Sequence, residues 1–482
     1  MKKSITLNGL YKLALNLFRF TLPALIIPYV YRTLSPENIG SVNYAESIYS
    51  YFNILAVLGL SFYAIRELGR VRYSKLKASF IFSNIFTINI IMVSFSLLLY
   101  LTLIIFMIKD PKVQIISLVL SIKLLLLAFD IEWVNESFED YKFISIKTML
   151  CRSISLILMF LLITSSDDYI IYVWLNVLFD LANSIFSFYY IILYRKRVFF
   201  SLKFVRFNKL YQHLKKIIST LFIVDVGFLF FSFDKVSLGA FVSTTEVAYF
   251  ALSEKIIVLV VVISSTITQV TLPRLSILAK TNKSEFLLLI RKIYTSLMMI
   301  VLPSFIGVYI LTPELLFIFG SYEFMPALET IKIFSFYILL FSFLKILATQ
   351  ALFALNKEKF YIILLISFSI INVIVKCLIN EKLNSSTSII ITLSLLFAMS
   401  IIIYIYITYK EKIRISIINK NICIYLIGCL PMLLIPLFRH QIDSIYIFSF
   451  LSISLSIILY AIVLLIFKES ISQSLIRKIL KR

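Results

Sequence analysis

The feature that most constrains this chain is the recurrence, almost end to end, of apolar windows about as long as a bilayer is thick. A spanning helix takes ~20 mainly apolar residues, and such windows fall at about 8–31, 41–65, 79–108, 113–134, 142–164, 169–194, 215–238, 246–272, 291–311, 328–355, 359–380, 386–409, 421–438 and 443–467. Polar residues interrupt the first, second, fourth, seventh and thirteenth, so the expected count is about fourteen, with twelve as the lower bound. The fold expected is an all-α polytopic membrane protein. The 61% hydrophobic and 15% charged residues exclude a water-soluble domain, a disordered chain and a coiled coil. Cys151, Cys377, Cys423 and Cys429 lie in apolar stretches without a CxxC pair, and the histidines, His213 and His440, lie elsewhere. Neither a disulfide framework nor a metal site is expected. Met1 to Leu22 has no clean apolar core followed by a small-residue cleavage site, and reads as an uncleaved first span.

Orientation follows from the loop charges. With the N-terminus inside, inner segments carry 33 Lys and Arg and outer segments carry seven. That asymmetry is a strong positive-inside signal, and an even span count puts both termini in the cytoplasm. The net charge of +22 is therefore mainly topogenic. It does not mark a nucleic-acid binder, and its attraction to anionic inner-leaflet lipid is secondary. The outer loops are short, the longest being about sixteen residues near Thr312 to Ala327, which leaves little room for an extracytoplasmic polymerase or ligase site.

Sliding the sequence by 208 residues superposes Ile39-Gly40-x3-Tyr44-Ala45-Glu46-Ser47-Ile48 on Val247-Ala248-x3-Leu252-Ser253-Glu254-Lys255-Ile256, Arg66 on Arg274 and Lys75 on Lys283. The first six spans map onto the next six. Two six-helix lobes in pseudo-two-fold relation about the membrane normal are expected, with two extra C-terminal helices. The expected boundaries are 1–194 for the first lobe, 195–214 for a basic linker, 215–409 for the second lobe, and 410–482 for the added helices and basic tail. The linker alternates apolar and basic residues; it is either an amphipathic segment in the inner interface or an ordinary loop.

Ionisable residues at mid-bilayer cost at least ~2.5–3.5 kcal/mol each and need a partner or a wet cavity. The candidates are Lys12, Arg19, Glu46, Lys123, Asp130, Arg152, Asp180, Asp225, Glu254, Lys255 and Lys345. Helical spacing groups several into polar stripes: Asn176, Asp180, Asn183, Ser184 and Ser187; Asn43, Glu46, Ser50 and Asn53; Ser145, Thr148, Arg152 and Ser155. Such stripes either line a hydrated cavity or join helices through hydrogen bonds. The cations Lys12, Arg19, Lys123, Arg152 and Lys345, with Asn176 and Asn183, suit an anionic, polar substrate. Glu46, Asp130, Asp180, Asp225 and Glu254 either pair with these cations or bind H⁺ or Na⁺ as coupling sites. No GxxxxGK[ST] loop, HExxH or Ser-His-Asp pattern occurs, so neither an enzyme nor a cofactor is expected.

Ala24-x3-Pro28-Tyr29-x2-Arg32-x-Leu34-Ser35-Pro36-Glu37-x2-Gly40-x3-Tyr44-Ala45-x2-Ile48-x2-Tyr51-Phe52, then Leu58-Gly59-Leu60-x2-Tyr63-Ala64-x-Arg66-Glu67-x4-Arg72, resembles the start of the Wzx-type O-antigen and polysaccharide flippases. These belong to the multidrug/oligosaccharidyl-lipid/polysaccharide exporter superfamily. The match covers about 65 residues, with Ser35 where a Gly is common. The resemblance implies a two-lobed transporter of a bacterial inner membrane. It would move an undecaprenyl-pyrophosphate-linked oligosaccharide, an O-antigen or capsule repeat unit, from the cytoplasmic to the periplasmic leaflet by alternating access. A cation gradient and other polysaccharide-assembly proteins would be its partners besides membrane lipid. Arg66 and Glu67 fall on the motif at the inner end of the second span, where gating or topogenic roles are expected for them and for the repeat counterpart Arg274. The rivals are a drug exporter of the same superfamily, which would favour an acidic, aromatic cavity, and a polymerase or ligase.

Overall fold

The structure is a computed structural model that describes residues 5–57, 59–220, 226–415 and 419–469. Asp225 lies outside the described residues. Among the described residues the chain is helical, with no strand. It divides into two compact units, Met1–Gly239 and Ala240–Arg482.

The first unit contains α1 (Ile5–Thr33), α2 (Pro36–Val57), α3 (Leu60–Val71), α4 (Lys75–Met107), α5 (Pro111–Leu126), α6 (Glu132–Ser137), α7 (Tyr141–Leu162), α8 (Tyr169–Phe188), α9 (Phe207–Thr220) and all but the last two residues of α10 (Val226–Phe241). Local signals set the ends of several helices. Pro111 opens α5 while the Asp110 carboxylate accepts from the Lys112 and Val113 amides. Gly59, at φ 75°, supplies the left-handed turn between α2 and α3. The second unit contains α11 (Thr244–Thr281), α12 (Lys283–Ile310), α13 (Thr312–Gly320), α14 (Leu328–Leu344), α15 (Glu358–Leu378), α16 (Ser385–Tyr409), α17 (Lys420–Cys429) and α18 (Ile445–Ile466). Asn384 and Thr387 form a reciprocal capping box at the start of α16.

The sequence repeat has a structural counterpart. α2 and α4 begin at Pro36 and Lys75, while α11 and α12 begin at Thr244 and Lys283, both 208 residues later. From Pro111 to Leu328, and from Tyr141 to Glu358, the offset is 217. The nine added residues equal the length of α13. Packing partners repeat too. α2 packs on α4 and α5, α5 on α8, and α7 on α8; α11 packs on α12 and α14, α14 on α16, and α15 on α16.

Eleven helices among the described residues are long and apolar enough to cross a membrane. The three other expected spans correspond to α5, to the described part of α10, each 16 residues long, and to α11. The expected fourth span is not continuous. α5 stops at Leu126, and the chain unwinds through Asp130 before α6 begins. The long outer loop read near Thr312 is mostly folded, as α13 and a 3-10 turn over Tyr322–Ala327. Pro313 and the run Leu315 to Phe319 favour that helix over a solvated loop.

The linker folds as well. α9 lays Leu210, Leu214 and Ile217 against a core made by Tyr63, Leu68, Phe82, Trp133 and Ile191. Its basic face remains outside, with Lys209 and Lys215 among it.

Candidate functional site

In the first unit one cavity of about 530 Å³ collects side chains from five helices. Its origin is the break after α5. Three tight backbone bonds, Leu127 N to Leu124 O, Ala128 N to Leu125 O and Phe129 N to Leu126 O, end the helix. The carbonyls of Leu127 and Ala128 accept from Asn89 Nδ2 at 2.9 and 3.2 Å, so α4 takes up acceptors that lipid could not satisfy. The unwound segment then presents Asp130, whose carboxylate accepts from the Glu132 amide at 3.2 Å. One face of α6 adds Glu132, Trp133 and Glu136.

The remaining walls come from amphipathic stripes. α1 contributes Phe18, Arg19, Leu22 and Pro23; α7 contributes Thr148 and Arg152; α8 contributes Phe179, Asp180 and Asn183. The i, i+4 spacing of Thr148 and Arg152 puts both on the α7 face that meets α8. The Arg152 guanidinium lies 3.9 Å from the centre of the Phe179 ring. Thr148 Oγ1 donates to Asn183 Oδ1 at 3.5 Å.

Two ion pairs flank this space. Lys123 Nζ is 3.1 Å from Asp180 Oδ2 and 5.6 Å from the Tyr49 ring centre. Lys147, with a side chain only 4% exposed, pairs with Glu132 Oε2 at 2.7 Å and also donates to Ser187 Oγ and the Asn183 carbonyl. The lining is therefore not basic. Four carboxylates and two arginines face the cavity; Lys123 and Lys147 offset Asp180 and Glu132, which leaves Asp130 and Glu136 opposite Arg19 and Arg152.

Of the residues singled out in the sequence, the fold brings Arg19, Asp130, Arg152, Asp180 and Asn183 to one cavity and places Lys123 in an ion pair at its edge. Lys12 is elsewhere on α1, 5.1 Å from the Tyr141 ring centre. Asn176 donates to the Tyr172 carbonyl of its own helix at 2.9 Å. Glu46 is half-buried on α2. The α2 stripe beside it joins helices, since buried Asn43 donates to Tyr31 Oη at 2.9 Å and to the Ile39 carbonyl at 2.7 Å. Lys345 and Glu254 belong to the second unit. Lys345 opens a π-helical stretch, Lys345–Leu352, with its ammonium 5.0 Å from the Phe341 ring centre. That stretch is the repeat counterpart of the break after α5, so irregular backbone recurs at matching positions in both units. Arg66 and Arg274 are exposed. Glu67 holds Arg70 at 3.1 Å and Arg66 at 3.6 Å, one turn from Tyr63, which bonds His213 Nδ1 of α9 at 2.6 Å.

Glu132, Trp133, Glu136 and Lys147 were not among the candidates. A signal existed: Asp130, Glu132, Glu136, Glu139 and Asp140 place five carboxylates within eleven residues of a chain holding only 25.

The fold has solved counterparts. It is similar to the lipid II flippase MurJ in an inward closed conformation, with a TM-score of 0.65 at 13% identity over 94% of this chain and 99% of that one. It is also similar to an outward-facing multidrug resistance MATE family transporter of the MOP superfamily, at TM-score 0.53 and 14% identity over 85% of this chain and 94% of that one. A MATE protein in complex with MaL6 aligns at TM-score 0.53 and 13% identity, over 85% and 95% of the two chains. At these identities the likeness concerns the fold, which is that of membrane transporters. No curated protein matches the chain by sequence. A family model described as polysaccharide biosynthesis protein matches residues 5–279, more than half of the sequence. The chain is therefore a member of the polysaccharide biosynthesis protein family.

Proposed function

We propose that the protein is a flippase for an oligosaccharide carried on undecaprenyl pyrophosphate, such as an O-antigen or capsule repeat unit. It moves this substrate from the cytoplasmic to the periplasmic leaflet of a bacterial inner membrane by alternating access, with both termini cytoplasmic. The observation that carries this reading is the convergence of Arg19 and Arg152 on one cavity beside Thr148, Asn183 and Trp133. Guanidinium forks match phosphate oxygens in pairs. The hydroxyl and amide groups suit sugars, and the polyprenyl tail remains in lipid. Family membership and the fold shared with a protein named as a lipid II flippase point the same way.

The charge balance supplies a reason for cation coupling. A pyrophosphate brings at least one negative charge beside Asp130 and Glu136, and like charges in a site of low polarity repel strongly. Uptake of a proton or Na⁺ by those carboxylates offsets that repulsion, so substrate and cation occupy the cavity together or in exchange. Arg66 and Glu67, with Arg274 in the second unit, would act at the inner ends as gating residues.

A second reading draws on one observation. Phe18, Trp133 and Phe179 with four carboxylates also suit an organic cation, as in a multidrug exporter. Deleting the gene separates the two. The flippase reading expects loss of surface polysaccharide with unchanged drug susceptibility; drug hypersensitivity with normal polysaccharide would establish the exporter. Loss of a polymerase would instead leave single repeat units on the surface.

A further inference from the structure

A second groove, also of about 530 Å³, lies on the first unit between α7 and the end of α8; it shares no lining residue with the cavity described above, although Lys147, which lines it, pairs with Glu132 of that cavity. Its chemistry changes along its length. One end carries Lys142, the second residue of the α7 span, and Arg195, which directly follows the Tyr169–Tyr194 span. Both are exposed. Neighbouring antiparallel spans thus set two cations at the same membrane face, the inner one by the positive-inside count.

From there Phe143, Ile146, Leu150 and Ile154 run along α7 at spacings of three and four, with Phe186 on the facing wall. At ~1.5 Å per residue the stripe is ~16 Å long, close to the ~15 Å depth of one leaflet. Leu150 and Ile154 are 59% and 57% exposed, so the groove opens toward lipid.

The charged end is pre-arranged. Arg195 donates from Nε to Tyr190 Oη at 3.0 Å, and its guanidinium carbon lies 5.4 Å from the centres of both the Tyr190 and Tyr194 rings. Tyr190 is held in turn by stacking on Phe143 at 3.6 Å and by donating to Asp140 Oδ2 at 2.8 Å. Asp140, the carboxylate of this lining, is neutralised by Arg197 Nη2. Each element of the mouth therefore fixes Arg195 while leaving the local charge positive.

We propose that this groove binds one anionic phospholipid of the inner leaflet, its phosphate between Lys142 and Arg195 and an acyl chain along Phe143, Ile146, Leu150 and Ile154. The site is distinct from the substrate cavity, although α7 serves both: Arg152 faces the cavity, and Leu150 and Ile154 face the lipid. Charge complementarity selects the occupant. A zwitterionic lipid fits the apolar stripe equally well but gains less at the mouth.

The test is native mass spectrometry of the purified full chain titrated with phosphatidylglycerol and with phosphatidylcholine. A basic residue near an anionic headgroup is worth about fivefold, so the pair predicts about a 30-fold preference for phosphatidylglycerol. Lys142→Ala with Arg195→Ala should lower the preference to about threefold or less. Leu150→Trp fills the groove from its exposed side without altering charge, and should abolish retention of phosphatidylglycerol at an unchanged melting temperature. Equal binding of the two lipids by the wild type would overturn the proposal, as would full preference persisting in the double variant or in Leu150→Trp. A polyprenyl phosphate held in place of phosphatidylglycerol would also overturn it. None of these measurements depends on transport, so the lipid site and the flippase reading can fail separately.

Discussion

The Arg152 guanidinium carbon lies 3.9 Å from the centre of the Phe179 ring, so a cation on α7 is held against an aromatic face on α8 while both line one cavity. The contact orients the fork without consuming its N–H donors, which stay available to an anion. Hydrogen bonds to charged groups are worth ~1.5–3 kcal/mol. Arg152→Ala should therefore lower surface polysaccharide at least ~10-fold with normal membrane insertion, and Arg152→Lys should recover little, since it restores the charge but not the fork. Phe179→Leu, which removes only the orienting face, should cost about 2–5-fold. Quantitative immunoblotting of the polysaccharide in complemented deletion strains measures each.

Lys123 and Asp180 form a pair at 3.1 Å, with side chains 26% and 30% exposed. If Lys123 acts through that pair, Lys123→Ala leaves Asp180 uncompensated beside Asp130. The double variant Lys123→Ala/Asp180→Asn should then be milder than Lys123→Ala alone. A double-mutant cycle on thermal stability should give a coupling of about 1–2 kcal/mol, within the range for residues in contact.

Asn89 takes up both carbonyls exposed where α5 unwinds. Asn89→Leu leaves those acceptors unsatisfied in an apolar setting at a cost of ~1–3 kcal/mol each. It should lower the melting temperature and, because Asp130 is carried by the same segment, reduce transport beyond the fall in protein level. Asn89→Gln should preserve part of both.

Burial, with Lys216 and Lys209 close by, holds His213 below its ordinary 6.5, against the opposing pull of Glu67. Folded His213 therefore binds its proton less readily than unfolded His213. The docking of α9 through Tyr63 is at full strength above about pH 6.5 and weakens as the pH falls through that value toward the lower folded pKa. Between pH 7.5 and 5.5 the wild type should lose more thermal stability than His213→Gln, with the difference confined to the acid side.

Gly320 ends α13 where an added Cβ would lie 2.5 Å from Leu252 Cδ2 and 2.8 Å from the Phe324 ring. Gly320→Ala should cost ~1–3 kcal/mol through overpacking, read as a lower melting temperature.

Much of the architecture could be read from residue patterns because lipid imposes simple rules. The helix starts at Pro36, Lys75, Thr244 and Lys283 carry the repeat seen in Glu46/Glu254 and Arg66/Arg274. Arg19, Asp130, Arg152, Asp180 and Asn183 were legible as costly polar groups at span depth, and the fold gathers them. The break after Leu126 was not legible, since no Pro or Gly marks it; the compensating amide is Asn89, remote in sequence. With the break went α6, so Glu132 and Trp133 read as the last residues of the 113–134 window and Glu136 as part of the loop after it. Lys147 and Lys376 were counted as flanking charges for a related reason. Both fall inside the windows 142–164 and 359–380, near one end, and their side chains turn inward, to Glu132 for Lys147 and to Thr392 for Lys376 at 3.1 Å.

The most direct test is translocation in proteoliposomes that hold the purified protein and a labelled undecaprenyl-pyrophosphate oligosaccharide, with a membrane-impermeant reagent reporting the outer leaflet. The wild type should expose the inner-leaflet pool, and Arg19→Ala/Arg152→Ala, inserted to the same level, should not. Equal translocation by wild type and double variant, or none by the wild type under an imposed cation gradient of either direction, would contradict the flippase reading.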